Sequence, residues 1–530
     1  MAFPPHLPPE ILHSIVTTYL SPTDDTPTLH ALSLTHSFFI PSTRAILFHT
    51  IRLARHHRDD GVHPHLCSAF SALLHRSPYI AQFVRKLIVI EGTIRNSWFG
   101  HFRYWVSSED EELPFILRMV AYGGQRDNDQ WPGIGLRSLE VLGFGKATMD
   151  WESFQPQLRR AFVDMFELGR LEDLRLVGLN HFPLHILRHG KHLRNICFGW
   201  METSTPEPNT GPDTESEEVE RSQSINNIHR PALKFLDLSF EHDAAQGEAL
   251  ISALIQPSCP IDISRLEHIV INGDQHLNIQ HLFDYCHDEL KFLEIRTNEY
   301  PIPSPPTHIS LRSLSALHCL SLFVPVIDWD EVSPKPFPWL DHLLSTLQIN
   351  TASKTSNPSL HTLQLIFDID RIPLFERINQ TEWSNLNNHL TRLLKSHSPS
   401  PFSSSDAFPY TPSLINTPDA IHTQYRSNTC HEKLEITIYI FTDLDSYMGH
   451  NGTYASSHCA FLKDPMGSYS STSCQCGKSR SGQTTRPRSD SGRRESTQMR
   501  KFLTKFLPVL ATQEGIDGIR VYRINYIPRL

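Results

Sequence analysis

No apolar run in this chain of 530 residues reaches the roughly 20 residues that a membrane-spanning helix needs, so no such helix is expected. An excess of basic charge is also missing. Lys and Arg number 48 against 57 Asp and Glu, a formal −9, which gives no electrostatic case for nucleic-acid binding. Cysteine is sparse and odd in number: nine, at 67, 197, 259, 286, 319, 430, 459, 474 and 476. Most sit inside apolar runs, which suits reduced thiols of a cytoplasmic or nuclear protein better than a disulfide framework. The first residues show neither a basic stretch nor a long apolar core, so no secretory signal is expected. The Asn-x-Thr triplets at Asn379 and Asn451 then read as chance matches.

Motifs of chemistry are equally scarce. Gly143-Phe144-Gly145-Lys146 follows an apolar run but lacks the spacing of a phosphate loop, so it reads as a turn. No His-Glu-x-x-His and no Gly-x-Ser-x-Gly occurs. His458 and Cys459 with Cys474 and Cys476 form the one soft-metal candidate, but the cysteine pair is spaced too tightly for a typical zinc site. Asp328, Asp330 and Glu331 flank Trp329 with no placed histidine or nucleophile to complete a mechanism. No enzyme activity, cofactor or metal is expected. The 31 histidines are scattered and read as composition.

What is present begins at the amino end. Pro8 and Pro9 suit a first helical turn, where N–H groups lack partners in any case, and Glu10 suits the helix dipole. Ile11, Leu12, Ile15, Val16, Tyr19 and Leu20 recur at three-to-four spacing and predict an amphipathic helix. Thr26-Pro27 reads as an N-cap with proline after it, opening a second helix with Leu29, Leu32, Leu34, Phe38 and Phe39. Pro41 starts a third, through Phe48, and Ile51 and Leu53 close the run. Three short helices in about 50 residues bury little by themselves. Their outer faces must pack on the rest of the chain or on a partner.

Further along, one pattern returns: apolar, two residues, apolar, one residue, apolar. It reads Leu136/Leu139/Val141, Leu171/Leu174/Leu176, Leu193/Ile196/Phe198 and Leu233/Leu236/Leu238, then Leu266/Ile269/Ile271, Leu290/Leu293/Ile295, Leu317/Leu320/Leu322 and Leu360/Leu363/Leu365. Weaker copies are Leu434/Ile436/Ile438 and Ile516/Ile519/Val521, and Val84 to Ile90 reads as a strand. The closing alternation is that of a strand with one buried face. Helix-like segments lie between copies, at 152–168, 246–255, 279–287, 337–348, 382–395 and 498–510. Strand and helix in alternation without hairpin signals predict parallel strands and an α/β fold. The steps between first leucines, 35, 22, 40, 33, 24, 27 and 43 residues, fit an irregular leucine-rich-repeat-like solenoid; an open parallel sheet of an ordinary α/β domain is the competing reading. Residues 202–228, 396–430 and 464–498 are polar, or rich in serine and proline, and are expected to be disordered insertions.

The residues Leu7-Pro8-Pro9-Glu10-Ile11, Ile15, Leu20, Leu29, Leu32, Phe38 and Phe48-His49-Thr50-Ile51-Arg52-Leu53 resemble an F-box. With the irregular leucine-rich array and Ser77-Pro78-Tyr79-Ile80 before the first strand, the chain resembles the F-box proteins of fungi. Such modules dock on the Skp adaptor of a cullin–RING ubiquitin ligase. The resemblance implies an F-box-like module over 1–53 and a repeat domain over 54–530. It further implies that Leu7, Pro8, Ile11, Ile15, Leu20, Leu29 and Leu32 form the adaptor-binding face. The implied function is a non-catalytic substrate receptor of an SCF-type ligase, with a target protein held on the repeats. The alternative is a scaffold whose helical cap serves only internal packing. No residue of the target-binding surface stands out from the sequence.

Overall fold

A computed structural model describes residues 9–21, 24–54, 66–91, 105–106, 111–123, 135–143, 149–201, 230–240, 244–273, 279–297, 309–326, 338–347, 360–369, 380–397, 435–442 and 519–525. Leu7, Pro8, the segment 202–228, the helix expected at 498–510, the soft-metal candidate at 458–476 and the carboxylates at 328–331 lie outside them. So do 464–498 and all of 396–430 beyond His397. The chain divides into two compact units, one of residues 1–325 and 342–367, the other of 326–341 and 368–530.

In the first unit, α1 (Pro9–Tyr19), α2 (Thr26–Thr35) and α3 (Ile40–Leu47) form the expected three helices, and α3 touches both others. The cap of α2 is one residue earlier than expected: Asp25 is the N-cap and Thr26 is already helical. The Asp25 carboxylate turns back to accept the Ser21 N–H at 2.9 Å. Thr43 is wholly buried in α3, with its hydroxyl donating to the Phe39 carbonyl at 2.9 Å. The Arg44 guanidinium lies 5.0 Å from the Tyr79 ring, a cation–π contact between α3 and the 3-10 turn Pro78–Phe83.

The last stretch of the F-box-like run is not part of this helical group. Thr50–Ala54 is β1, paired in parallel with β2 (Lys86–Glu91). Eight more strands carry the sequence pattern: β3 (Ser138–Gly143), β5 (Asp173–Val177), β7 (Asn195–Gly199), β8 (Phe235–Ser239), β9 (His268–Gly273), β10 (Phe292–Thr297), β11 (Cys319–Val326) and β12 (Thr362–Ile369), while the short β4 (Met149–Asp150) and β6 (Leu179–Asn180) pair apart. In the first unit the ten main strands run in the order β1-β2-β3-β5-β7-β8-β9-β10-β11-β12. The fold is therefore α/β, with a parallel sheet in which each main strand lies beside the next in sequence.

The register explains why the pattern recurs. Ile51, Leu87, Leu139, Leu174, Ile196, Leu236, Ile269, Leu293 and Leu320 are successive cross-strand partners, as are Leu53, Val89, Val141, Leu176, Phe198, Leu238, Ile271, Ile295 and Leu322. No member of the second ladder is more than 6% exposed. Burial of each such side chain stabilises the fold by about 1.5–3 kcal/mol. One residue before each strand, a carbonyl accepts two successive N–H groups from the next copy. His49 accepts from Arg85 and Lys86, Arg85 from Arg137 and Ser138, and the series continues to His318, which accepts from His361 and Thr362. This device makes His49 the start of the array.

A parallel step requires a crossover, and the spacing sets its kind. The 22-residue step from Leu171 to Leu193 holds no α-helix, only the short β6 and the 3-10 turn Leu184–His189. Longer steps hold α6 (Pro156–Leu168), α7 (Ala244–Ile255) and α8 (Gln280–Cys286), close to the bounds read from the sequence. Two more helices, α4 (Leu66–Arg76) and α5 (Glu112–Tyr122), precede β2 and β3, and α5 lies between α4 and α6. Its Arg118 pairs with Asp164 of α6 at 3.1 Å. Helices α9 (Pro338–Thr346) and α10 (Gln380–His397) bury Leu340, Leu343 and Leu344, and Leu386, Leu390 and Leu393. In the second unit β13 (Glu435–Thr442) pairs in parallel with β14 (Ile519–Asn525).

Candidate functional site

Two surfaces of the first unit are candidates. The first is built on α1 and α2. Val16 is 4% exposed and anchors α1 inward. Ile11, Ile15 and Tyr19 follow one another at a spacing of four residues, which places them along one side of the helix. They are 47%, 44% and 77% exposed, and Leu34 at the end of α2 is 87% exposed. A globular helix normally turns a single apolar stripe to the core. Helix α1 carries apolar residues on an outward side as well.

The residues expected to hold an adaptor separate into three groups. Ile11 and Ile15 lie on the exposed side, and Leu20 and Leu32 are half-buried. Leu29 is wholly buried; as folded it holds α2 in place and offers a partner no side-chain area. Leu7 and Pro8 lie outside the described residues. Tyr19 and Leu34, read from the sequence only as members of a helical stripe, are the more exposed pair. Spacing alone ranks neither above Val16 or Leu29.

The second surface is the polar face of the sheet. Strand alternation puts Arg52, Ile88, Glu140, Arg175, Cys197, Asp237, Val270, Glu294 and Ser321 in one cross-strand row. Most of its acids have charged or amide partners. Lys86 pairs with Glu140, Arg296 with Glu294 at 2.5 Å, and Asn195 Nδ2 donates to Asp173 in the neighbouring row at 2.5 Å. Asp237, 6% exposed, receives the Cys197 thiol at 3.4 Å on Oδ2, and its Oδ1 has no hydrogen-bond partner. Ser321, 7% exposed, likewise keeps its hydroxyl oxygen without one. A buried polar group in that state costs about 1–3 kcal/mol. Burial pushes the Asp237 carboxyl above its ordinary range, against the opposing pull of the Cys197 thiol, Arg296 and Arg175.

The neighbouring row carries an aromatic ledge. The ring of His268 meets Phe235 edge-on at 4.8 Å and Phe292 at a tilt at 5.6 Å. Burial, with Arg296 adding repulsion, pushes the His268 imidazole down to about 4. Cys319, next in that row by register with Phe292, is pushed up to about 11 by burial and by Glu294, so it stays a thiol. At the far end of the strands Ile90, Leu142 and Val177 cluster, with Trp200 against them; Trp200 holds a positive φ of 52°. Glu91 closes β2, its carboxylate accepting the N–H groups of Trp105 and Val106 at 3.1 and 2.7 Å.

Among the described residues no group of three or more His, Cys, Asp or Glu side chains is placed to hold a metal ion, and no helix is long and apolar enough to cross a membrane. No family model matches the chain, and no curated protein matches it.

Proposed function

We propose that this chain is the substrate-receptor subunit of an SCF-type cullin–RING ubiquitin ligase. In this reading α1–α3 are an F-box-like module that binds a Skp-type adaptor, and the sheet is an irregular leucine-rich-repeat-like solenoid that holds a target protein. The observation that carries the reading is the outward apolar side of α1 and α2: Ile11, Ile15, Tyr19 and Leu34 are all more than two-fifths exposed. Isoleucine loses little rotamer entropy on docking, and a few central apolar anchors can dominate an interface. The strictly sequential strand order supports the solenoid, because each copy then stacks only on its neighbours. Such a receptor does no covalent chemistry. It raises the effective concentration of a target lysine near the charged conjugating enzyme.

A second reading, in which the helices only cap the sheet, draws on the contact of Arg44 with Tyr79 and on the burial of Val16 and Leu29. Co-purification decides between them. The full chain should retain a Skp-type adaptor, and the double substitution Ile11→Asp with Ile15→Asp should lower that retention at least about tenfold, since it forces charge into a desolvated interface. Both positions are exposed, so the variant's melting temperature should stay within a few degrees. Failure of the unaltered chain to hold the adaptor, or full retention by the variant, would favour the cap.

A further inference from the structure

Asp237 stands apart on the polar face. The other acids of that face have a lysine, an arginine or an amide in direct contact, whereas Arg296 and Arg175 act on Asp237 without forming an ion pair with it. The side-chain hydrogen bond of Asp237 comes from the Cys197 thiol at 3.4 Å, and a thiol is a weak donor. Its Oδ1 is left empty at a buried position. Three strands on, in the same row, the Ser321 hydroxyl is empty too. The Phe235–His268–Phe292 ledge runs alongside, and aromatic faces attract cations and cover methylene stems.

We propose that this part of the polar face binds a lysine or arginine side chain of the target polypeptide, with the cation donating to Asp237 Oδ1 and the stem lying on the Phe235–His268–Phe292 ledge. The inference rests on the reading of the sheet as the target-holding surface. An acidic or phosphorylated segment fits poorly, because it would set its charge beside Asp237 and Glu294. A purely apolar segment would leave both empty oxygens unanswered. Asp237 Oδ1 is itself buried, so engagement requires neighbouring side chains to shift.

The test uses the full-length chain and an array of decapeptides with one fixed position: lysine, arginine, norleucine, citrulline or glutamate, in randomised surroundings. Lysine and arginine peptides should be retained at least tenfold over norleucine and citrulline, and Asp237→Asn should reduce that preference to within twofold. Asparagine keeps the shape of the side chain, and an unchanged circular dichroism spectrum and melting temperature would show that the fold survives. Should that variant misfold, Phe292→Leu is read instead, with at least a threefold fall in preference expected. Equal retention of all five classes, a preference for glutamate, or an undiminished preference in the folded variant each overturns the proposal. Adaptor co-purification from the same preparations keeps the two readings apart. A cation preference without bound adaptor leaves this site standing and removes the ligase reading; bound adaptor without the preference does the reverse.

Discussion

His268 shows how much one side chain's surroundings decide. Its imidazole is neutral in the folded chain because burial and Arg296 push it down to about 4, whereas an unfolded histidine protonates near about 6.5. Between those values the unfolded chain binds the extra proton. Stability is therefore complete above about pH 6.5 and falls as the pH drops toward 4, by at most about 3 kcal/mol from this group. His268→Phe keeps a ring in the ledge and removes the titration. Urea denaturation at pH 7 and pH 4.5 should show a smaller acid loss in that variant than in the unaltered chain; an identical loss would assign the effect to other groups. The lysine pair around Glu267, Lys234 at 2.8 Å and Lys291 at 3.0 Å, is about a third or more exposed and adds little by comparison.

Among the elements, the strands are held by their leucine face. Leu236 of β8 sits between Ile196 and Ile269 and is wholly buried. Leu236→Ala should destabilise the first unit by about 2–5 kcal/mol, the range for a cavity in a packed core, read from the midpoint of a denaturant curve. A loss below about 1 kcal/mol would mean the ladder is not tightly packed there. Gly178, between β5 and β6, has φ +65°, and a Cβ there would lie 2.8 Å from the Gly143 carbonyl oxygen. Gly178→Ala meets both the left-handed penalty of about 1–2 kcal/mol and that backbone clash, so a loss of about 2 kcal/mol or more is expected by the same measurement. Helix bounds were legible to within a few residues for most helices, as at 382–395 against Gln380–His397, but the apolar stripe of α5 was not read as a helix. β1 was not legible either. Phe48, Ile51 and Leu53 obey the strand pattern too, but they also continue the preceding apolar run, and only the pairing of Thr50–Ala54 with Lys86–Ile90 separates strand from helical module.

At the scale of the molecule, the division into two units predicts that the chain cut after Ile369 keeps the whole of the first unit, with residues 326–341 of the second. That fragment should retain the far-ultraviolet signature of its helices and parallel strands and unfold cooperatively. A fragment that aggregates or lacks a transition would show that the sheet depends on the chain beyond Ile369. The sequential order of the main strands follows the order of the copies in the sequence, because consecutive elements tend to become neighbours.

Apart from β1 and the short β4 and β6, the sequence by itself determined where the described strands lie and which side of each is apolar. That information is local: alternation at a period of two decides the face of a strand whatever stands next to it. Tertiary structure alone decided which polar residues become special. Glu140, Arg175, Cys197, Asp237, Glu294 and Ser321 occupy equivalent positions in the pattern, yet Glu140 meets a lysine and Asp237 keeps an empty oxygen. It likewise turned Ile11 and Ile15 outward while sinking Leu29. Burial and pairing depend on side chains brought close from distant parts of the chain, and no local pattern records which neighbours those will be.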